Sequence, residues 1–206
     1  LPNSFASALL VSRAGIPERW GYASDWRGRL LTRAVRRPRG SVHQGAYYQE
    51  LVRGLGIGCG PLEPALTVPS AAIAAARDLL ARRGWDQVRP VVVLAPGAAY
   101  GTAKRWIPEY VSRAISGLVA DRQAACVLVG SEGDRETVTQ ICRALDPQAA
   151  RFVIDLTGRT RLDQLAGILA LASACVSNDS GAMHLATAIG TPVVAQIFSA
   201  RGRPMP

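Results

Sequence analysis

At 206 residues with 49% apolar content, the chain is long enough to bury a sizeable core, and length alone allows one domain or two. It carries 24 basic against 15 acidic residues for a formal net charge of +9, yet no apolar stretch reaches the length of a membrane span and the N-terminal residues lack the basic, apolar and small-residue order of a signal peptide. Cys59, Cys126, Cys142 and Cys175 are spread without metal-ligand spacing and there are two histidines, which argues for reduced core thiols of a cytoplasmic protein and against a protein-bound metal site.

The first 88 residues read irregularly. Helices are expected at about residues 28–37, 44–55 and 70–83, interleaved with proline and glycine. Ser70 and Gly84 supply the start and stop of the last one, which leads towards a second domain. Six arginines fall between Arg27 and Arg39. On a helix Arg29, Arg33 and Arg36 would share one face, a stripe suited to an anionic glycolipid or acidic membrane surface, and equally to plain solvation. A nucleic-acid role is not expected, because the basic stretch has no binding motif and no interleaved aromatics.

From Pro90 onward the pattern becomes regular. Strands are expected at residues 91–95, 124–129, 152–155, 174–177 and 193–198, with helices between them at 108–118, 134–145, 162–171 and 181–189. Short Val-rich runs separated by amphipathic helices predict an α/β fold with a parallel, doubly wound sheet. Ligands of such sheets bind outside the carboxyl ends of the strands. Lys104, the 130–136 turn, residues 157–160 and residues 179–181 all follow predicted strands, so they should converge on one edge.

Two features of that edge suggest an anion. Twenty-three of the 24 basic residues are arginine and only Lys104 is lysine. A compact ammonium on a flexible stem is not exchangeable with a planar guanidinium where a single charge must reach a phosphate, which makes Lys104 a candidate phosphate ligand or else a chance survivor on a solvated face. The second feature is Asn178-Asp179-Ser180-Gly181, a set of cap-forming residues that opens a helix whose first amides and dipole suit a phosphate. Asp179 can accept hydrogen bonds from sugar hydroxyls, and His184, one turn on, can donate to a diphosphate oxygen. The alternative is ordinary capping by Asp179 or Ser180, with His184 a surface histidine.

Residues 1–10, Ala14-Gly15-Ile16-Pro17, the 96–106 segment ending in Lys104-Arg105-Trp106, Val129-Gly130-Ser131, and Ser177-Asn178-Asp179-Ser180-Gly181-Ala182-Met183-His184 together resemble the lipopolysaccharide heptosyltransferases of glycosyltransferase family nine. The resemblance runs from Leu1 to about Val194. It implies the GT-B arrangement of two Rossmann-like domains, divided here near residue 88: a partial acceptor-side domain with its linker helix at 1–88, and a donor-binding domain with an incomplete C-terminal end at 89–206. It further implies inverting transfer of heptose from ADP-L-glycero-D-manno-heptose to the lipopolysaccharide inner core, at the cytoplasmic face of the inner membrane.

By the same resemblance Lys104, Ser180, Gly181 and His184 meet the diphosphate, Asp179 holds heptose hydroxyls, Thr160 lines the adenine pocket, and either Asp134 or Glu136 reaches the ribose. No metal or other cofactor is required, since a lysine and a helix terminus can stabilise the leaving diphosphate. The family's opening strand, Gly-rich turn and catalytic aspartate have no counterpart after Leu1, and Asp25 does not match that base. An internal fragment is therefore expected, with exposed apolar surface that favours association. A catalytically inactive remnant or basic interaction module is the alternative function.

Overall fold

The computed structural model describes residues 3–97 and 106–196. It separates into two compact units, residues 1–64 and 65–206.

In the first unit, helix α1 (Phe5–Arg13) begins at Ser4, whose hydroxyl accepts from the Ser7 amide. Strands β1 (Trp20–Tyr22) and β2 (Arg33–Val35) pair in parallel, with Trp20 beside Arg33 and Tyr22 beside Val35. Helix α2 (Gln44–Gly54) closes on β2, where a Cβ at Gly54 would stand 2.5 Å from a Val35 methyl. Arg27 is buried, donating from Nε to the Tyr22 carbonyl and from Nη2 to Asn3 Oδ1, both at 2.8 Å.

The helix expected at 28–37 is not formed. A short 3-10 turn (Arg27–Leu30) leads instead into β2. The backbone is taken by partners across the chain: the Thr32 amide donates to Arg19 and the Ala23 amide to Val35. Arg29, Arg33 and Arg36 are exposed, but they do not form a helical stripe. Arg33 lies over the Trp20 ring at 4.7 Å.

The second unit is the parallel, doubly wound sheet. Its elements in chain order are α3 (Ser70–Ala81), β3 (Val91–Ala95), α4 (Pro108–Arg122), β4 (Ala125–Leu128), α5 (Arg135–Ala144), a single turn α6 (Pro147–Ala150), β5 (Val153–Asp155), α7 (Leu162–Leu171), β6 (Ala174–Asn178), α8 (Gly181–Ile189) and β7 (Val193–Gln196). The strand order is β5-β4-β3-β6-β7, all parallel.

All five residues of β3 are buried, as a central strand covered on both faces requires. Val91, Val93 and Ala95 pack on one face with Ala76 and Leu80 of α3, Ile168 and Leu169 of α7 and Ala186 of α8. Val92 and Leu94 pack on the other with Val111 and Ile115 of α4 and Val138 and Ile141 of α5. Helix α3, expected to lead from one domain to the next, contributes its buried face to this core. Cys126 and Cys175 sit fully buried in β4 and β6, where burial pushes their thiols up to about 12 and about 11. They are core packing groups and not nucleophiles.

Candidate functional site

The chain winds from β3 outward through β4 to β5, then crosses back to β6 on the other side of β3. Such a reversal leaves a crevice at the carboxyl ends of the two diverging strands, the usual ligand position in an open parallel sheet. Ala95 and Ser177 are side by side in the ladder, so the chain leaves β3 through Pro96 and Gly97 next to where it leaves β6 through Asp179 and Ser180. A cavity of about 330 Å3 lies there. A larger one, about 400 Å3, lies in the first unit beside Trp20 and Arg27, but it has no such convergence of strand ends and the Arg27 guanidinium beside it is engaged by Tyr22 and Asn3.

The turn after β4 forms one wall. Asp134 is buried, and its Oδ2 accepts from the Ser131 amide at 2.8 Å and the Ser131 hydroxyl at 2.7 Å, a reciprocal cap on the 3-10 turn Glu132–Asp134 that leads into α5. Gly97 crosses directly over this carboxylate: a Cβ at Gly97 would lie 2.3 Å from Asp134 Oδ1. Only glycine permits that approach. Glu132, in the same turn, lies over the next loop, where a Cβ at Gly158 would meet its Oε2 at 2.4 Å, and it pairs with Arg135 Nε at 2.6 Å.

The opposite wall is the start of α8. Ser180 occupies the capping position, yet its side chain makes no cap bond and there is no acid in the first helical turn. Its hydroxyl is instead 2.9 Å from the hydroxyl of buried Ser177, which in turn donates to the Asn178 carbonyl. Gly181 and Ala182 face the cavity, so the positive end of α8 borders it. Asn178 is fully buried and its Nδ2 donates to the carbonyls of Pro96 and Gly97 at 2.8 and 3.2 Å. The third side is Thr160, Arg161, Leu162 and Leu165. Arg161 is held by Asp163 at 2.5 Å, and the hydrogen bond between them raises its pKa.

Of the residues expected at the site, Asp134, Thr160, Ser180 and Gly181 line the cavity. Glu136 is exposed on the first turn of α5 and is not among the lining residues. Asp179 and His184 stand together outside the lining, with Oδ1 and Nε2 3.7 Å apart. Lys104 lies outside the described residues, as does the end of the strand expected to reach residue 198. Ser131, Asn178, Arg161 and Leu162 were not singled out by sequence reading. Ser131 and Asn178 belong to quoted motifs, but their partners are set by the fold. Among the described residues no three His, Cys, Asp or Glu side chains are grouped to hold a metal ion, and no helix is long and apolar enough to cross a membrane.

An open parallel sheet with a cavity at its reversal point, a glycine crossing and a helix start beside it defines a Rossmann-like domain. The chain belongs to glycosyltransferase family 9 (heptosyltransferase), whose pattern it matches over residues 1–200. It is 33% identical over 218 aligned residues to lipopolysaccharide heptosyltransferase 2 of Escherichia coli K12, a match that covers 95% of this chain and 57% of that protein. The solved structure of E. coli ADP-heptose lps heptosyltransferase II superposes with a TM-score of 0.69 at 32% identity, covering 94% of this chain and 60% of that one. A family 9 glycosyltransferase from Veillonella parvula, at 21% identity and a TM-score of 0.73, covers 91% of this chain and 53% of its own, and shares the fold. The chain thus spans less than two thirds of the length of these relatives.

Proposed function

We propose that the carboxyl edge of the five-stranded sheet binds ADP-heptose, and that the chain is the donor-binding part of an inverting heptosyltransferase acting on the inner core of lipopolysaccharide. The observation that carries this reading is the cavity at the β3/β6 reversal, bordered by the N-terminus of α8 and a side-chain-free crossing at Gly97, in a chain of this family.

The reaction asks little bond-making of these residues. The acceptor hydroxyl attacks the anomeric carbon, the bond from that carbon to the diphosphate breaks, and negative charge collects on the departing ADP. The first amides of α8 and the ammonium of Lys104 offset that charge in place before it develops, so no metal is needed for departure. The hydroxyl proton goes to a general base, a role that none of the donor-site residues is assigned. Asp179, exposed at the mouth beside His184, suits the heptose hydroxyls, and Thr160 with Leu162 and Leu165 suits the adenine.

For the ribose the geometry favours neither acid first considered. Asp134 is committed to Ser131 under Gly97, and Glu136 is off the cavity. Glu132, like Glu136, is not among the lining residues, but it stands exposed over Gly158, two positions before the lining residue Thr160, with a solvent-screened pair with Arg135 to exchange. It is assigned the ribose hydroxyls. Cytoplasmic placement against the anionic inner membrane is part of the same reading, with Arg29, Arg33, Arg36, Arg37 and Arg39 the exposed cations of the first unit that would meet it.

Calorimetric titration of ADP-heptose, ADP and inorganic phosphate into the wild-type chain and Lys104→Ala tests this function. Saturable ADP-heptose binding that Lys104→Ala weakens by about 1.5–3 kcal/mol, the worth of a charge-assisted contact, is the expected result. Weak binding that is equal for all three anions and indifferent to Lys104 contradicts it and leaves a basic module without donor specificity.

A further inference from the structure

We infer that Asn178 is a positioning residue of the donor site, an inference that rests on the donor-binding reading above: its side-chain amide ties the exit of β3 to the exit of β6 and so holds the two walls of the cavity in register. Asn178 is wholly buried, and both of its Nδ2 hydrogens are used on the successive carbonyls of Pro96 and Gly97. Among the described residues its Oδ1 is buried without a partner. The orientation is nevertheless forced, because turning the amide over would set Oδ1 against two carbonyl oxygens. An asparagine present only to fill the core would have both ends paired, as buried polar groups generally do. Here an unpaired acceptor is tolerated and two donors stay on β3's exit.

What those donors hold is the cavity wall. Just beyond the β3/β6 ladder, Gly97 lies against Asp134, which is locked to Ser131, while on the β6 side Ser177 holds Ser180 at the start of α8. Asn178 is the side chain that joins these two assemblies, across 82 positions of sequence. Without it the Pro96 and Gly97 carbonyls lose their donor, and Gly97 is free to lift from Asp134 and away from the α8 terminus. The effect falls on donor affinity in the folded protein and is not limited to stability.

The test is ADP affinity by calorimetry, with melting temperature alongside, for wild type, Asn178→Ala and Asn178→Asp. Folded variants should bind ADP at least about tenfold more weakly at neutral pH. The carboxyl introduced by Asn178→Asp repels both carbonyls when ionised but can donate to one when protonated. The ratio of wild-type to Asn178→Asp affinity should therefore narrow between about pH 8 and about pH 5, which general loosening of the fold would not produce. Folded variants that bind ADP as wild type does at every pH overturn the assignment while leaving the donor site standing. Wild type that does not prefer ADP to inorganic phosphate overturns the donor reading and this inference with it. Should neither variant fold, exchange of the Asn178 side-chain amide protons in wild type decides: they should exchange more slowly with ADP bound, and exchange indifferent to ADP contradicts the coupling.

Discussion

Gly97 and Asp134 show how single residues shape this site. A methyl group at Gly97 has no place to go, because the Asp134 carboxylate fills the space and is held there by two hydrogen bonds from Ser131. Other carboxylates are likewise held by neighbouring donors. Asp146 accepts from the amides of Gln148 and Ala149 at the start of α6 and from the Ser116 hydroxyl of α4, and these bonds, led by that of Ala149, hold its pKa below the usual value. Asp86 is lowered by the amides of Arg89 and Val88, and Asp163 by Arg161. A depressed folded pKa means that folding favours the ionised form. The stability it confers is complete above the unfolded value, 3.8, and is lost as pH falls through the lower folded value. Asp146→Ala should therefore melt below wild type at neutral pH, with the gap closing as pH falls from 3.8 through the lowered folded value. Thermal melts across that range check it, and a gap that acid leaves unchanged contradicts the capping role.

At the scale of elements, close helix packing carries the second unit. Helices α3 and α7 cross at Gly167, where a Cβ would come within 2.4 Å of the Ala72 carbonyl oxygen and 2.9 Å of the Ala76 Cβ. Gly167→Ala gains helix propensity but must push the helices apart, at a net cost of about 1–3 kcal/mol. A lower denaturation midpoint is expected, and a midpoint at or above the wild-type value refutes the close crossing. The helices of this unit were largely legible in sequence: α7 and α8 have the expected limits, because each joins an apolar period to a clear turn signal at both ends. In the first unit α2 was, close to its expected 44–55 limits, and the rest was not. Its strands are three residues long, too short for a period to register, and the apparent helical spacing of Arg29, Arg33 and Arg36 carries little information in a chain that uses arginine for nearly every cation. Helix α1 went unread, and its capping serines, Ser4 and Ser7, are its only strong local signal.

For the whole molecule, topology does what local sequence cannot. Loops that follow strands could be identified from the alternation of elements, and with them the cavity residues Asp134, Thr160, Ser180 and Gly181. The strand order could not, and it is the order β5-β4-β3-β6-β7 that makes the exits of β3 and β6 adjacent and gives Asn178 its partners. That Asp134 is covered by Gly97 was likewise not legible, because it is a contact between residues far apart in sequence. The proposed nucleotide-sugar site lies at this reversal point, within the second unit. Backbone amide mapping of the chain with and without saturating ADP tests it most directly. Perturbations grouped at Gly97, Ser131, Thr160 and residues 180–182, with residues 3–64 unmoved, are the predicted result. Perturbations centred on the cavity beside Trp20 and Arg27, or spread evenly over exposed arginines, would contradict it.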